Sequence, residues 1–389
     1  MPTFADRTHA FTSTNIFTIL EAKRQERAAK NLPVFNLSVG TPDFPPAPHI
    51  MRTVEEAARN PDNYKYALSD APELIAAAQA WYKRRYAVPL DSSEIMSVAG
   101  SQEGLVHIAL AMLNHGESFL TPNPGYPIFS IGPALMGANQ VLYELRPENN
   151  YLPDLDEIAR TMPKNTRAMI ASYPANPIGA STTLKFFEEL VAFGKAHDIW
   201  IIHDNAYSDI TYDGYVAGSF LEAKGAAEIG VEFNSLSKTY NLTGARISFL
   251  LGNAEFLRRF SAIRSQFDYG LCRIFQRAAI AALTGPQDAV VSQRAEYERR
   301  RDAVVNGLAR IGWDKPTCNG TMFVWAKIPG GDIDDRKFVM DTIDRSGVIF
   351  IPGSEFGSLG RGYVRIALTL PVDQINKAMT ALGRSQPMS

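Results

Sequence analysis

The chain has 389 residues, 46% apolar and 21% charged, the balance of a folded globular protein rather than a disordered one. Its formal net charge of -2, with no long basic run, excludes the electrostatic footprint of a nucleic-acid or anionic-membrane binder. With only Cys272 and Cys318 and no C-x-x-C, a disulfide framework or thiolate zinc centre is excluded as well.

Both cysteines are therefore expected to be inert packing groups. The length exceeds one simple core and predicts two domains. The segment MPTFADRTHAF lacks the basic and apolar regions of a secretory signal, and no apolar run is long enough to span a bilayer. The expected location is the cytoplasm.

In chain order, FTSTNIFTILEAKRQERAAK predicts a helix, with Ser13 or Thr14 as its cap. VFNLSVGTPDFPPAPHI is extended and breaks on clustered prolines, and PELIAAAQAWYKRRY returns to helical spacing. EIMSVAGSQEGLVHIALAML then reads as a short strand, a turn of small residues and a helix of at least three turns. Up to about residue 250, short apolar runs (SFLTP, QVLYEL, AMIASYP, IWIIHDN, VEFNSLS, ISFLLGN) alternate with helical stretches such as LKFFEELVAFGKAHD. That alternation predicts an α/β domain with a largely parallel sheet, whose ligands gather at the strands' carboxyl ends. Beyond Gly252 come long charged helices and then strands at TMFVWAKIP, GVIFIPG and GYVRIAL, read as a second domain that packs with the N-terminal segment.

Candidate chemistry concentrates near Lys238, which follows an apolar strand between Ser237 and Thr239. Half buried there, its amine would lose basicity and become a nucleophile toward an aldehyde. Arg246, eight positions on, suits a phosphate. Asp204 ends the apolar run IWIIHD, where it either pairs with a protonated ring nitrogen or caps a helix. Tyr207 follows three residues later. Gly100-Ser101-Gln102 stands at a strand-to-helix turn, where backbone N–H groups can approach a phosphate. Tyr126 is either a ring-stacking group or a buried loop tyrosine, and turn chemistry alone accounts for Asn176.

Taken together, PGYP, ANP-x-G, HDNAYSD, SLSKTYNLTGARISF and YVRIAL resemble the class I aminotransferases of pyridoxal-phosphate fold type I, over most of the chain. The resemblance implies a large domain (residues 50–285) with a mostly parallel seven-stranded sheet between helices. A smaller α/β domain would be formed by both ends (residues 1–49 and 286–389). It implies pyridoxal phosphate as cofactor, with Lys238 the Schiff-base lysine and Asp204 the partner of the pyridine nitrogen. Tyr207 and Asn176 would meet the phenolic oxygen, and Tyr126 would stack on the ring. Ser101, Gln102, Ser235, Ser237 and Arg246 would hold the phosphate. Arg365 would fork onto the substrate's α-carboxylate, with the Gly40 backbone alongside.

It further implies a homodimer with shared active sites, Tyr66 (or Tyr64) reaching the partner's phosphate. The wording lies nearest the diaminopimelate and alanine aminotransferase-like branch, so the implied reaction is ping-pong transfer from an L-amino acid to a 2-oxo acid, 2-oxoglutarate foremost. No metal, nucleic acid or membrane partner is expected. Alanine, aspartate or aromatic donors, or a lyase reaction on the same fold, are the alternatives. A serine acyl hydrolase built on Ser235-x-x-Lys238 lacks its companion tripeptides, and a non-catalytic binding protein would not need this set. The chain departs from the family pattern at Ser38, at Ala175, around YKYALSDAPEL, and at CRIF. The last leaves Arg273 either near the substrate's distal end or on the surface.

Overall fold

A computed structural model describes residues 3–5, 8, 16–331 and 333–385. Seven strands form the central sheet: β2 (Ile95–Val98), β3 (Ser118–Asn123), β4 (Asn139–Glu144), β5 (Thr166–Ser172), β6 (Trp200–Asn205), β7 (Gly230–Ser235) and β8 (Ser248–Gly252). β1 (Phe35–Asn36) precedes them outside this sheet. The order is β2-β8-β7-β6-β5-β3-β4, and only β8 runs antiparallel to its neighbours. The sheet matches the alternation in the sequence.

Strand composition follows from burial on both faces. Ile201 and Met169 enter one apolar cluster with Phe186, Phe187 and Leu190 of helix Leu184–His197. Their neighbours Ile202 and Ile170 enter another, with Leu105 and Ile108 of helix Ser101–Met112 and Phe256 and Phe260 of helix Ala254–Arg264. Successive residues thus serve opposite layers, which is why the runs read as continuously apolar. Polar side chains appear at the carboxyl ends, at Asp204 and Ser235.

The chain's ends meet in a second α/β assembly. β9 (Phe323–Lys327) and β11 (Ile351–Pro352) flank β12 (Tyr363–Ala367) in an antiparallel sheet, while β1 pairs in parallel with β10 (Val348–Ile349). GVIFIPG was expected to be one strand. It is two, in different sheets, because Phe350 separates the pairing with Phe35 and Asn36 from the pairing with Val364 and Arg365. Helix Asp288–Arg310 packs against helix Val372–Ser385. The N-terminal helix is described from Ile16 to Ala29; the expected caps Ser13 and Thr14 lie outside the described residues. Helix Pro72–Tyr86 spans the predicted segment. Cys318 is buried, but Cys272 is exposed just before helix Arg273–Thr284, so only one of the two cysteines packs inside. Among the described residues, no helix is long and apolar enough to cross a membrane.

Candidate active site

Twelve of the predicted residues line one cavity of about 320 Å³, at the carboxyl ends of β6 and β7. They are Gly40, Ser101, Gln102, Tyr126, Asn176, Asp204, Tyr207, Ser235, Ser237, Lys238, Arg246 and Arg365. A larger cavity of about 700 Å³ holds none of them, so size alone would point to the wrong place. Among the described residues, no group of His, Cys, Asp and Glu could hold a metal ion.

Ser235 ends β7 and caps the one-turn helix Leu236–Thr239, its Oγ accepting the Ser237 N–H at 3.2 Å. That turn sets Lys238 into the cavity, where its Nζ donates to the Gly40 carbonyl oxygen at 2.7 Å. Burial lowers the amine's pKa to about 8, helped by the charges of Arg365 and Arg246. Asp204 is 5% exposed and its Oδ1 is buried without a hydrogen-bond partner. It lies within β6 and caps no helix. Burial pushes its carboxyl up to about 7, against the His203 charge and with that of Glu232. Tyr207, 6% exposed, lines the same wall, its phenol held above the ordinary range by burial.

The opposite end is built for anions. Gly100 adopts φ 85 before helix Ser101–Met112, and a Cβ there would lie 2.1 Å from an Arg246 guanidinium nitrogen, so only glycine fits. Arg246 donates to the Thr243 and Ala99 carbonyl oxygens at 2.9 and 3.3 Å. The Ser101 Oγ at that helix N-terminus is buried without a partner. The Tyr126 hydroxyl donates to Gln102 Oε1 at 3.3 Å.

Arg365, on β12, enters from the terminal assembly. Its guanidinium donates to Asn176 Oδ1 at 3.1 Å and to the Ser38 carbonyl oxygen at 3.2 Å. Its Cζ lies 4.0 Å from the Phe323 ring centroid and 4.8 Å from that of Phe356. Among the described residues no carboxylate is hydrogen-bonded to it, its Nε is buried without a partner, and burial lowers its pKa to about 10. Such a cation suits a carboxylate from outside.

Tyr66 is not brought to this cavity. It is 75% exposed and meets Tyr269 edge-on, with ring centroids 5.1 Å apart; the Tyr64 hydroxyl donates to the Ala58 carbonyl oxygen. Arg273 is exposed and does not line the cavity either. Phe17, Thr41, Leu105, Ala206, Thr243 and Phe323 do line it and were missed. None carried a sequence signal: the approach that ties Phe323 to the site, a Cβ at Gly40 lying 2.8 Å from its ring, exists only in the folded chain.

The profile of the family described as aminotransferase class I and II matches residues 33–382. The LL-diaminopimelate aminotransferase of Moorella thermoacetica is 40% identical over 95% of each chain, and that of Syntrophobacter fumaroxidans 38% over 95% of each. Among solved structures, substrate-bound BacF from Bacillus subtilis superposes with a TM-score of 0.93 at 32% identity, covering 99% of this chain and 98% of that one. A probable N-succinyldiaminopimelate aminotransferase from Thermus thermophilus gives 0.90 at 30%, covering 96% and 100%.

Proposed function

This chain belongs to the class I and II aminotransferases, enzymes that depend on pyridoxal phosphate, and we propose that it moves an amino group from LL-diaminopimelate or a close analogue to 2-oxoglutarate. The observation that carries the reaction is a single cavity holding an amine of lowered basicity, a buried carboxyl and a buried guanidinium with no carboxylate on it. The diaminopimelate relatives support the donor.

The residues fit the cofactor. Ser101 Oγ, Asp204 Oδ1 and Arg365 Nε are buried and unpartnered, which is costly unless a bound group completes them. In this reading Ser101, Gln102, Ser235, Ser237 and Arg246 hold the phosphate, and Asp204 accepts from the protonated ring nitrogen. Tyr207 and Asn176 take the phenolic oxygen; Asn176 has its amide oxygen on Arg365, so its amide nitrogen is the donor for this task. Tyr126 stacks on the ring. When bound, pyridoxal phosphate supplies an aldehyde carbon for the Lys238 amine and a ring that draws electrons from the substrate's α-carbon.

Arg365 grips the substrate's carboxylate with two parallel N–H groups and so fixes the α-carbon's orientation. With its amine free, Lys238 Nζ would take the substrate's α-proton as general base and return a proton as general acid. The Gly40 carbonyl, which holds Nζ at 2.7 Å, sets where that amine rests.

Residues 50–285 form the large domain in this reading, and both chain ends form the small one. The enzyme works in the cytoplasm as a homodimer in which Tyr66 serves the second copy's phosphate. Exposed apolar groups support the dimer: Tyr66 at 75% meets Tyr269 at 59%, and Leu68, two positions from Tyr66, is 78% exposed. The donor test is the half-reaction rate, followed at the cofactor's absorbance, with LL-diaminopimelate, alanine, aspartate and phenylalanine. LL-diaminopimelate is expected to give the highest kcat/KM, and a faster single-carboxylate donor would overturn the assignment. A fully active monomer in sedimentation would overturn the dimer.

A further inference from the structure

Lys238 sits on a helix of a single turn, Leu236–Thr239, and a helix this short has no stability of its own. One bond closes it, from the Tyr240 N–H to the Leu236 carbonyl oxygen at 3.1 Å. The carbonyls after that one lie at the helix end, where the helix itself offers no donor. Partners outside the turn must therefore fix it. Ser235 Oγ accepts the Ser237 N–H at the start, and the Thr239 hydroxyl donates to Asp209 at 3.1 Å. The carbonyl of Lys238 itself is met by Gln293, 55 positions on in helix Asp288–Arg310, whose Nε2 donates to it at 2.8 Å.

The amide of Gln293, 6% exposed, has one allowed orientation. The Lys238 carbonyl oxygen can only accept, so the NH2 end faces it and Oε1 faces away. There Oε1 accepts from Asn241 Nδ2 at 2.7 Å, and the same Nδ2 donates to the Pro45 carbonyl oxygen at 3.3 Å. Two side-chain amides thus run in one direction between two backbone carbonyls. A reversed Asn241 would set oxygen against oxygen at both of its contacts. Its Oδ1 is instead left buried without a partner, a cost that the fixed direction imposes.

We infer that Gln293 is a positioning residue for Lys238: by capping the lysine's own carbonyl, it sets where the amine stands when it meets the cofactor's aldehyde. This rests on the Schiff-base role proposed above for Lys238. The Gly40 carbonyl holds Nζ at 2.7 Å while the amine rests. In attachment Nζ bonds the aldehyde carbon and water leaves, so the side chain moves. The backbone is its pivot, and Gln293 holds the pivot from a helix outside the central sheet.

Two variants test it. Gln293→Glu keeps the size of the amide and still accepts from Asn241, but once ionised it has no hydrogen for the Lys238 carbonyl. Gln293→Leu removes the donor without bringing a charge, so one variant remains if the other does not fold. In either apoenzyme, the rate of covalent loading by pyridoxal phosphate, followed by absorbance, should fall about tenfold, because small misplacements of a reacting group cost rate steeply. Affinity for pyridoxine phosphate, which carries the ring and the phosphate but no aldehyde, should be unchanged. A merely structural role predicts equal losses in loading and in affinity for this analogue, and that result would overturn the inference. Loading at the wild-type rate would overturn it too. Wild-type loading by Lys238→Ala would instead overturn the role of Lys238 on which the inference rests, an outcome that neither Gln293 variant can mimic.

Discussion

Arg300 and Arg365 are both buried, at 4% and 5% exposure, and each lies over two aromatic rings. They differ in what they hold. Arg300 grips Asp43 with two nitrogens at 2.7 and 3.0 Å, reaches Glu296 at 3.0 Å, and donates to the Leu368 carbonyl oxygen. Burial works against its charge, but the two carboxylates more than offset that and raise its pKa. Among the described residues Arg365 meets an amide and a backbone oxygen and no carboxylate, and burial lowers its pKa to about 10. A closed ion pair ties elements together; an open one is a site. In the proposed reading, the cost of the uncompensated cation is offset when a substrate carboxylate completes it.

If that contrast is right, substitutions at open positions should cost activity and spare the fold, and at closed positions the reverse. The largest effect is expected at Lys238. Lys238→Ala removes both the cofactor's attachment point and the proton carrier, so turnover should fall by more than the roughly 10²–10⁴-fold typical of a general base. Its cofactor-free form should melt no lower than wild type near pH 7, since a buried amine has been removed. Retention of the wild-type cofactor band by this variant would refute the assignment.

Arg365→Lys comes next. A lysine cannot reproduce the parallel two-nitrogen grip, and kcat/KM should drop by about 2–4 kcal/mol for every amino-acid and keto-acid substrate alike. Sparing of even one α-amino acid would remove Arg365 from the carboxylate role.

Arg300→Ala tests the closed member. It should lower unfolding free energy by about 2 kcal/mol, much of it lost packing on Phe44 and Tyr297, with KM little changed. Were KM to rise as much as in Arg365→Lys, the distinction between the two arginines would collapse.

The smallest effect is a pH dependence. Below about pH 8 the Lys238 amine of the apoenzyme is protonated and cannot attack an aldehyde. Cofactor loading, followed by absorbance, should therefore rise about tenfold per pH unit up to that point and level off above it. The same shift has a stability sign. The unfolded chain, with its lysine at the ordinary value of 10.5, binds more protons between about 8 and 10.5, so this group's penalty on the apo fold is relieved as pH rises through that window. A loading rate flat from pH 6 to about 9 would mean the amine is not the group that titrates.

Much of the site was legible because its residues sit at local landmarks. Asp204 ends an apolar run, Lys238 follows one, and Gly100 marks a strand-to-helix turn. The resemblance supplied their roles, and twelve of the thirteen named residues share a cavity. Tyr66 does not, since within one chain it points elsewhere.

Periodicity and turn chemistry are properties of neighbours in sequence, and they determined the helices, the strands and the α/β order of this protein. Tertiary structure decided the meetings of distant segments: Lys238 with the Gly40 carbonyl across 198 positions, Arg365 with Ser38 across 327, and the split of residues 348–352 between two sheets. It also decided which buried charge is closed and which is open. An arginine's own sequence is the same either way, and only the packed chain determines whether a carboxylate arrives.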